Sequence, residues 1–358
     1  MRVRPPRAAV SIPRLNSEES NTYRINVVQR IIGAKPPAAG SPPAPAVHRV
    51  LIDESSEGQR LDNFLVKLLK GVPKTHVYRV IRSGEVRVNK GRAGADTRLA
   101  LGDEVRIPPV RVAEKVDARP APPREFAVVF EDEFLLAIDK PAGVAVHGGS
   151  GVSFGVIEQL RQARPTAKFL ELVHRLDKET SGLLLIAKKR SALVALQEQL
   201  RAHSGEKAIG KTYAALVIGE WPANRKVIDV ALHKYLTGDG ERRVRAVDHE
   251  HDAGKRSITL VKVARQLKGY TLLDVTIKTG RTHQIRVHLT HEGHAIVGDE
   301  KYGDFALNKA MARNTGFDRM FLHAGHLRFT HPTSGEVIQL AAPLPAECEA
   351  LIHALASA

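Results

Sequence analysis

The sequence predicts an α+β protein in two parts: a small basic module of helices and short strands, then a larger domain on a mostly antiparallel mixed sheet. Three observations predict it. Apolar residues recur at helical spacing twice between Arg60 and Arg82 and then alternate at strand spacing. Prolines cluster between residues 108 and 123. Beyond residue 126 the segments are mainly of β type, with few helices and no repeating βαβ rhythm.

Taken in order, residues 1–48 hold Pro-Pro pairs, a run of Ala, Gly, Ser and Pro and scattered arginines, a composition that assembles no core. A disordered extension is expected there. Glu18 and Glu19, and the missing amphipathic pattern, argue against an organelle transit peptide. The basic module spans 49–108. Leu61, Phe64, Leu65, Leu68 and Leu69 mark one buried helix face. Gly71 and Pro73 separate it from a second helix to Arg82, where Val77, Val80 and Ile81 face inward while Thr75, Arg79 and Arg82 face outward. Gly84 is the expected stop, after which Val86 and Val88, then Val105 and Ile107, alternate as short strands. Residues 109–125 read as a proline-rich linker.

The large domain is expected over 126–358. Residues 126–130 and 134–138 form two strands around an acidic turn and feed the loop Asp139 to Gly143. VHRLDKETSG, Val173 to Gly182, then leads into Leu183 to Ala187, which has the length of a buried strand. This puts Asp177 in a loop held at a strand entrance. A helix capped by Ser191 follows, with Leu193, Leu196 and Leu200 on one face. Further strands are expected at 212–218, 270–277 and 284–289.

Composition narrows the chemistry. With 358 residues and 43% hydrophobic content the chain can bury a large core. Residues 1–125 carry 23 Lys and Arg against 13 Asp and Glu, the remainder 31 against 26, so most of the net charge of +15 lies in the N-terminal third. That distribution suits a module that captures a polyanion. The single Cys348 excludes an internal disulfide and a cysteine-based zinc site, which fits a reducing compartment. No apolar run approaches the roughly 20 residues of a membrane span. His174, Asp177 and Ser181 have the right types for a hydrolase triad but are too close in sequence, and no GxSxG turn is present. His283, His288, His291 and His294 lack an HExxH pattern, so no metal site is expected. HGGSG lacks the Lys-Ser/Thr of a phosphate loop and reads as a turn. One carboxylate among arginines is left.

RLDNFL, VPKTHVYRVIRSGEVRVNK and GDEV, in that order, resemble the S4 RNA-binding domain. The resemblance implies RNA contact through Lys74, Thr75, Arg79, Arg82 and Arg87. HRLDKETSG, with DKPAGVAVHGGSG upstream and KTYAALVIG, KTGRTHQIRVH and FLHA downstream, is similar in order and spacing to the RluA-type family of pseudouridine synthases across residues 50 to 345. It implies the pseudouridine synthase fold, and an enzyme that isomerises uridines of 23S ribosomal RNA in the cytoplasm as a monomer, without cofactor or metal. Carried over by position, Asp177 is the nucleophile or base, Tyr213 packs on the uracil, and Arg286 is the ion-pair partner of Asp177. Arg175 fills the space left by the extruded base, and Leu322 lines the pocket floor. The segment Arg201 to Gly210 looks longer than in typical members.

The chemistry agrees with those residue types. Isomerisation breaks the N1 to C1′ bond and joins C5 to C1′, so it needs a carboxylate at the sugar, a pocket that retains uracil, and access to a flipped base. Desolvation neutralises a carboxylate, and an arginine, always charged, favours the ionised form and can engage it bidentately. Whether the carboxylate attacks C1′ or removes the C2′ proton is open in the sequence. Two readings from other classes make different demands on the sequence. A non-catalytic S4-type ribosome-assembly factor would not need Asp177 with Arg286, and an S4-containing methyltransferase would need a glycine-rich strand-to-helix loop, absent from 126–358.

Overall fold

The computed structural model describes residues 47–69, 71–110, 120–149, 152–202, 205, 208–238 and 240–357. The expected disorder of residues 1–46 and the middle of the linker, 111–119, lie outside them. So does part of the segment from Arg201 to Gly210. At the near edge the expectation is corrected. His48, assigned to the extension, opens strand β1 (His48–Leu51) and pairs with Ile107.

The N-terminal module contains helices α1 (Leu61–Leu68) and α2 (Lys74–Arg82) on a sheet of β1, β2 (Arg87–Val88), β3 (Gly91–Arg92) and β4 (Glu104–Ile107), in the order β1-β4-β2-β3. Leu61, Leu65, Val77, Val80 and Ile81 bury against Val86, Val105 and Ile107. The apolar stripes thus meet the apolar face of the sheet, except that Leu68, expected on the buried face of α1, is 47% exposed; Thr75, Arg79 and Arg82 are left exposed. After α2 the chain turns at Gly84, whose φ of +74° is easy for glycine and strained for other residues.

The large domain carries a ten-stranded sheet. Strands β5 (Ala127–Glu131) and β6 (Leu135–Lys140) lead to helix α3 (Val156–Ala163), then to β7 (Glu171–Leu172) and β8 (Ser181–Ala187). Helix α4 (Arg190–Arg201) and β9 (Gly210–Ile218) precede the edge strand β10 (Val227–Asp229) and a separate hairpin of β11 (Ala231–Leu236) and β12 (Arg242–Val247). Then come β13 (Ile258–Leu267), β14 (Tyr270–Ile277), α5 (Gln284–His291), α6 (Phe305–Thr315), β15 (Leu322–Thr330), β16 (Val337–Ala341) and α7 (Ala346–Ser357). The main path runs β10-β13-β14-β9-β15-β8-β6-β5, with β16 on β15 and β7 on β8. Every pairing is antiparallel except β15 with β8. That parallel seam joins the two halves of the sheet.

Strand β8 reads as an unbroken apolar run because both its faces are covered. Leu184 and Ile186 enter the core under α3, whereas Leu183, Leu185 and Ala187 enter the core under α4. A third cluster, with Leu216, Phe321, Cys348 and Leu351, packs α6 and α7 onto the sheet. Among the described residues no helix is long and apolar enough to cross a membrane.

Two local expectations are corrected. Ser191 does not cap α4. The helix begins at Arg190 with Lys189 at the cap and no side-chain cap bond, and is held instead by burial of Ala192 and Leu196. Residues 284–289, expected as a strand, lie in helix α5. Ile285, Val287 and Leu289 alternate with polar residues, but all six are buried, and the polar ones are bonded inward. Gln284 donates to the Ile258 carbonyl at 3.0 Å, and His288 meets the Thr259 hydroxyl at 2.8 Å. A helix enclosed on all sides shows no one-sided stripe, so strand-like alternation prevails in the sequence.

Candidate active site

Asp177 lies in the loop ahead of β8, and several bonds fix that loop. His174 Nε2 accepts the backbone N–H of Leu185 at 3.1 Å, and the Val173 amide donates to the Leu185 carbonyl at 3.0 Å. Burial, with the nearby charge of Lys211, lowers His174 to about 3, so it stays the neutral acceptor this bond requires. Lys140, fully buried, donates to the carbonyls of Pro141, Val144 and Lys178 at 2.8, 2.8 and 3.1 Å, tying the DKPAG turn to the Asp177 loop. Burial first, partly offset by Glu179, brings Lys140 down to about 7. Three carbonyl acceptors nonetheless call for the three donors of the ammonium form. At Gly182, where β8 enters the parallel pair, φ is +107° and a Cβ would stand 2.4 Å from the Ala324 carbonyl oxygen. Only glycine lets the strands close there.

Three adjacent central strands and helix α5 then build one cleft of about 630 Å³. The loop before β8 supplies Arg175 and Asp177, β9 supplies Tyr213, β15 supplies Leu322, and α5 supplies Arg286. All five predicted catalytic-domain residues line it. Asp177 is the only carboxylate residue among the described residues lining the cleft, and its side chain is 26% exposed. Tyr213 and Leu322 are buried and Arg175 is exposed. Burial, and then the charge of Asp177, raises the Tyr213 pKa, so its ring meets a ligand as the neutral phenol. Lys74, Thr75, Arg79 and Arg82 stand exposed on α2, and half-buried Arg87 lies on β2, all within the N-terminal module.

Arg286 meets Asp177 through Nη1 and Oδ2 at 3.3 Å, a single contact rather than the bidentate engagement its chemistry allows. The fork is used elsewhere. Nε and Nη2 each donate at 2.8 Å to Asp299, whose side chain is 0% exposed and also accepts the amides of Lys301 and Tyr302. Burial alone would raise the Asp299 pKa, but the guanidinium and the two amides hold it below the usual carboxylate range. Tyr302 lies under the same guanidinium, 5.0 Å from ring centre to Cζ. Its hydroxyl accepts the Val244 amide at 3.1 Å and meets His283 Nδ1 at 2.7 Å. Burial lowers the His283 pKa, with Asp177 opposing. The other ring nitrogen, Nε2, stands 3.9 Å from Asp177 Oδ2.

Sequence reasoning did not assign Asp299, Tyr302, His283 or Lys211 to the site. His283 sits in the GRTHQIRVH motif and adopts a left-handed backbone, φ +53°, which a sequence does not display. Lys211, in KTYAALVIG, lines the cleft beside Tyr213, and burial lowers it to about 8. Among the described residues no group of three or more His, Cys, Asp or Glu is placed to hold a metal ion.

The cleft thus sets one carboxylate and the Tyr213 ring among cationic residues, and comparison with known proteins gives the class. Residues 134–291 match the family described as RNA pseudouridylate synthase, and residues 59–105 match the S4 domain. The chain belongs to the RNA pseudouridylate synthase family. Its relatives include the ribosomal large subunit pseudouridine synthase C of Pasteurella multocida, 49% identical over 316 residues, covering 87% of this chain and 94% of the relative. The protein of the same name from Escherichia coli K12 is 50% identical over 307 residues, covering 84% and 94%. Among solved structures, human RNA pseudouridylate synthase domain containing 4 shares the fold, with a TM-score of 0.51 at 24% identity over 64% of this chain and 92% of that one.

Proposed function

We propose that this enzyme isomerises specific uridines of 23S ribosomal RNA to pseudouridine in the cytoplasm, with Asp177 as the nucleophile or base at the ribose. The observation that carries the reading is one reachable carboxylate, touched once by an arginine that a second, buried carboxylate pins. The names of the relatives at 49% and 50% identity support the large-subunit substrate. In this reading the flipped uracil stacks on Tyr213 above Leu322, and Arg175 occupies the vacated place in the RNA. As the N1 to C1′ bond breaks, the cleft retains the base. It turns so that C5 joins C1′, C5 gives up a proton and N1 gains one. Atoms and electrons balance within the substrate, so no external oxidant or phosphoryl donor takes part. The α2 residues Lys74, Thr75, Arg79 and Arg82, with Arg87, contact neighbouring RNA backbone.

The test is Asp177→Asn on unmodified 23S rRNA. The variant is expected to bind as the wild type does and to form no pseudouridine, read by chemical labelling and reverse transcription. Product formed at the wild-type rate overturns the assignment.

A further inference from the structure

The four strands of the N-terminal sheet are paired so that arginines stand opposite one another all the way across. Arg49 of β1 faces Arg106 of β4, Arg106 faces Arg87 of β2, and Arg87 faces Arg92 of β3. Directly opposed residues project from the same side of a sheet, and strands lie about 4.8 Å apart, so the row runs roughly 14 Å across the strands. The side is the outer one. Val50, Val105 and Val88, next along their strands and opposed in the same way, point to the module's core.

Like charges directly opposite destabilise a sheet, and here three such pairs follow in succession. The protein does little to neutralise them. Arg49 pairs with Glu104 at 2.5 Å, their side chains 55% and 36% exposed and so open to solvent screening. Arg106 donates to the Glu85 carbonyl at 2.8 Å and Arg92 to the Arg82 carbonyl at 3.3 Å, neither an ion pair. The Arg87 side chain has no hydrogen-bond or ion-pair partner among the described residues. The Arg92 guanidinium also lies against Gly84 at the end of α2, so the row continues into the exposed face of Arg79 and Arg82.

We propose that this row is a phosphate track: an RNA backbone crosses the outer face of the sheet over Arg49, Arg106, Arg87 and Arg92 and passes onto α2. The inference deepens the reading of RNA as substrate and rests on it. A polyanion with regularly spaced charges offsets the repulsion that the folded module otherwise carries, and guanidinium forks suit phosphate oxygens. The track extends the RNA footprint to the edge strand farthest in the sheet from β3.

The experiment compares wild type with Arg49→Gln/Arg106→Gln, and with Lys309→Gln/Arg313→Gln on exposed α6 as an equal loss of charge off the track. Binding to unmodified 23S rRNA transcript is measured across a salt series. The track variant is expected to bind about tenfold more weakly, with a salt slope shallower by about 1.4 to 2 for two lost phosphate contacts. Its melting temperature should hold or rise, because opposed like charges have been removed, which separates the effect from unfolding. The α6 variant should stay within about twofold in affinity. Equal losses in the two variants, or a track variant with wild-type affinity and slope, overturn the track. If wild type itself binds without salt dependence, the reading of RNA as substrate fails instead.

Discussion

Removing the buried carboxylate of Asp299 should disable the site without touching a residue that lines the cleft. The carboxylate accepts four hydrogen bonds, from Nε and Nη2 of Arg286 at 2.8 Å each and from the amides of Lys301 and Tyr302 at 2.9 and 3.0 Å. Arg286 has one further carboxylate contact, 3.3 Å from Asp177, and is itself 8% exposed. Asp299→Ala therefore leaves a desolvated guanidinium and two unpaired amides. Breaking a buried pair from one side costs about 3–5 kcal/mol, which for a domain of this size lowers the melting temperature by roughly 6–20 °C. Asp299→Asn keeps the shape, and its carbonyl can still accept the amides, but its NH2 opposes a guanidinium donor. It should melt above the alanine variant and still lose activity by about a hundredfold, because Arg286 is free to leave Asp177. The folded Asp299 pKa is lowered, so its contribution is present above the ordinary carboxylate range and is lost only as pH falls through the lowered value. The deficit should accordingly persist between pH 5 and 8. Thermal melts and single-turnover pseudouridine formation measure it. An Asp299→Asn protein with wild-type melting and turnover would refute the argument.

Two further predictions follow from the same geometry. Gly182→Ala puts a methyl 2.4 Å from the Ala324 carbonyl at a φ of +107°, so β8 and β15 must part. A loss of about 2–4 kcal/mol in denaturant stability, with activity falling in parallel, is expected, and wild-type unfolding would contradict it. Burial lowers Lys211 to about 8, so its charge in the free enzyme is lost as pH rises through that value. The titratable groups lining the cleft and the pocket beside it are His174, Arg175, Asp177, Arg201, Tyr213, Lys278, Arg281, His283, Arg286 and Arg328, so Asp177 is the one carboxylate among them. RNA affinity should decline a few-fold between pH 7 and 9 in wild type and stay flat in Lys211→Arg; parallel profiles would remove Lys211 from the binding charge.

How far the sequence discloses this protein depends on how many sides of each element are covered. α1 and α2 are covered on one side, so their stripes were readable, and β8 is covered on both, so its apolar run was readable as a strand. α5 is enclosed all round by β13 and by the hairpin residues Leu232 and Val244, so its period vanished. The site divides in the same way. Asp177 stands out because it sits among turn formers and cations ahead of a buried strand. Asp299 sits in GDEKYG, one of two adjacent acids in a polar turn, and nothing local marks it as the residue that holds Arg286. Its role is created by a contact with Arg286, 13 residues away.

The division of labour between the two carboxylates follows from what each must do. A carboxylate gripped by both arms of a guanidinium is well ordered but spends its lone pairs on the grip. A carboxylate left alone in a partly apolar cleft is reachable but poorly oriented. Here the fork goes to Asp299, which no substrate reaches, and Arg286, thereby fixed, extends only Nη1 to Oδ2 of Asp177. Neither contact occupies Oδ1 of Asp177, since His283 also approaches Oδ2. In the proposed reading, Oδ1, which carries neither contact, is the oxygen that acts at the ribose. The 3.3 Å contact orients it without consuming it, and the residue that makes this possible lies outside the cleft.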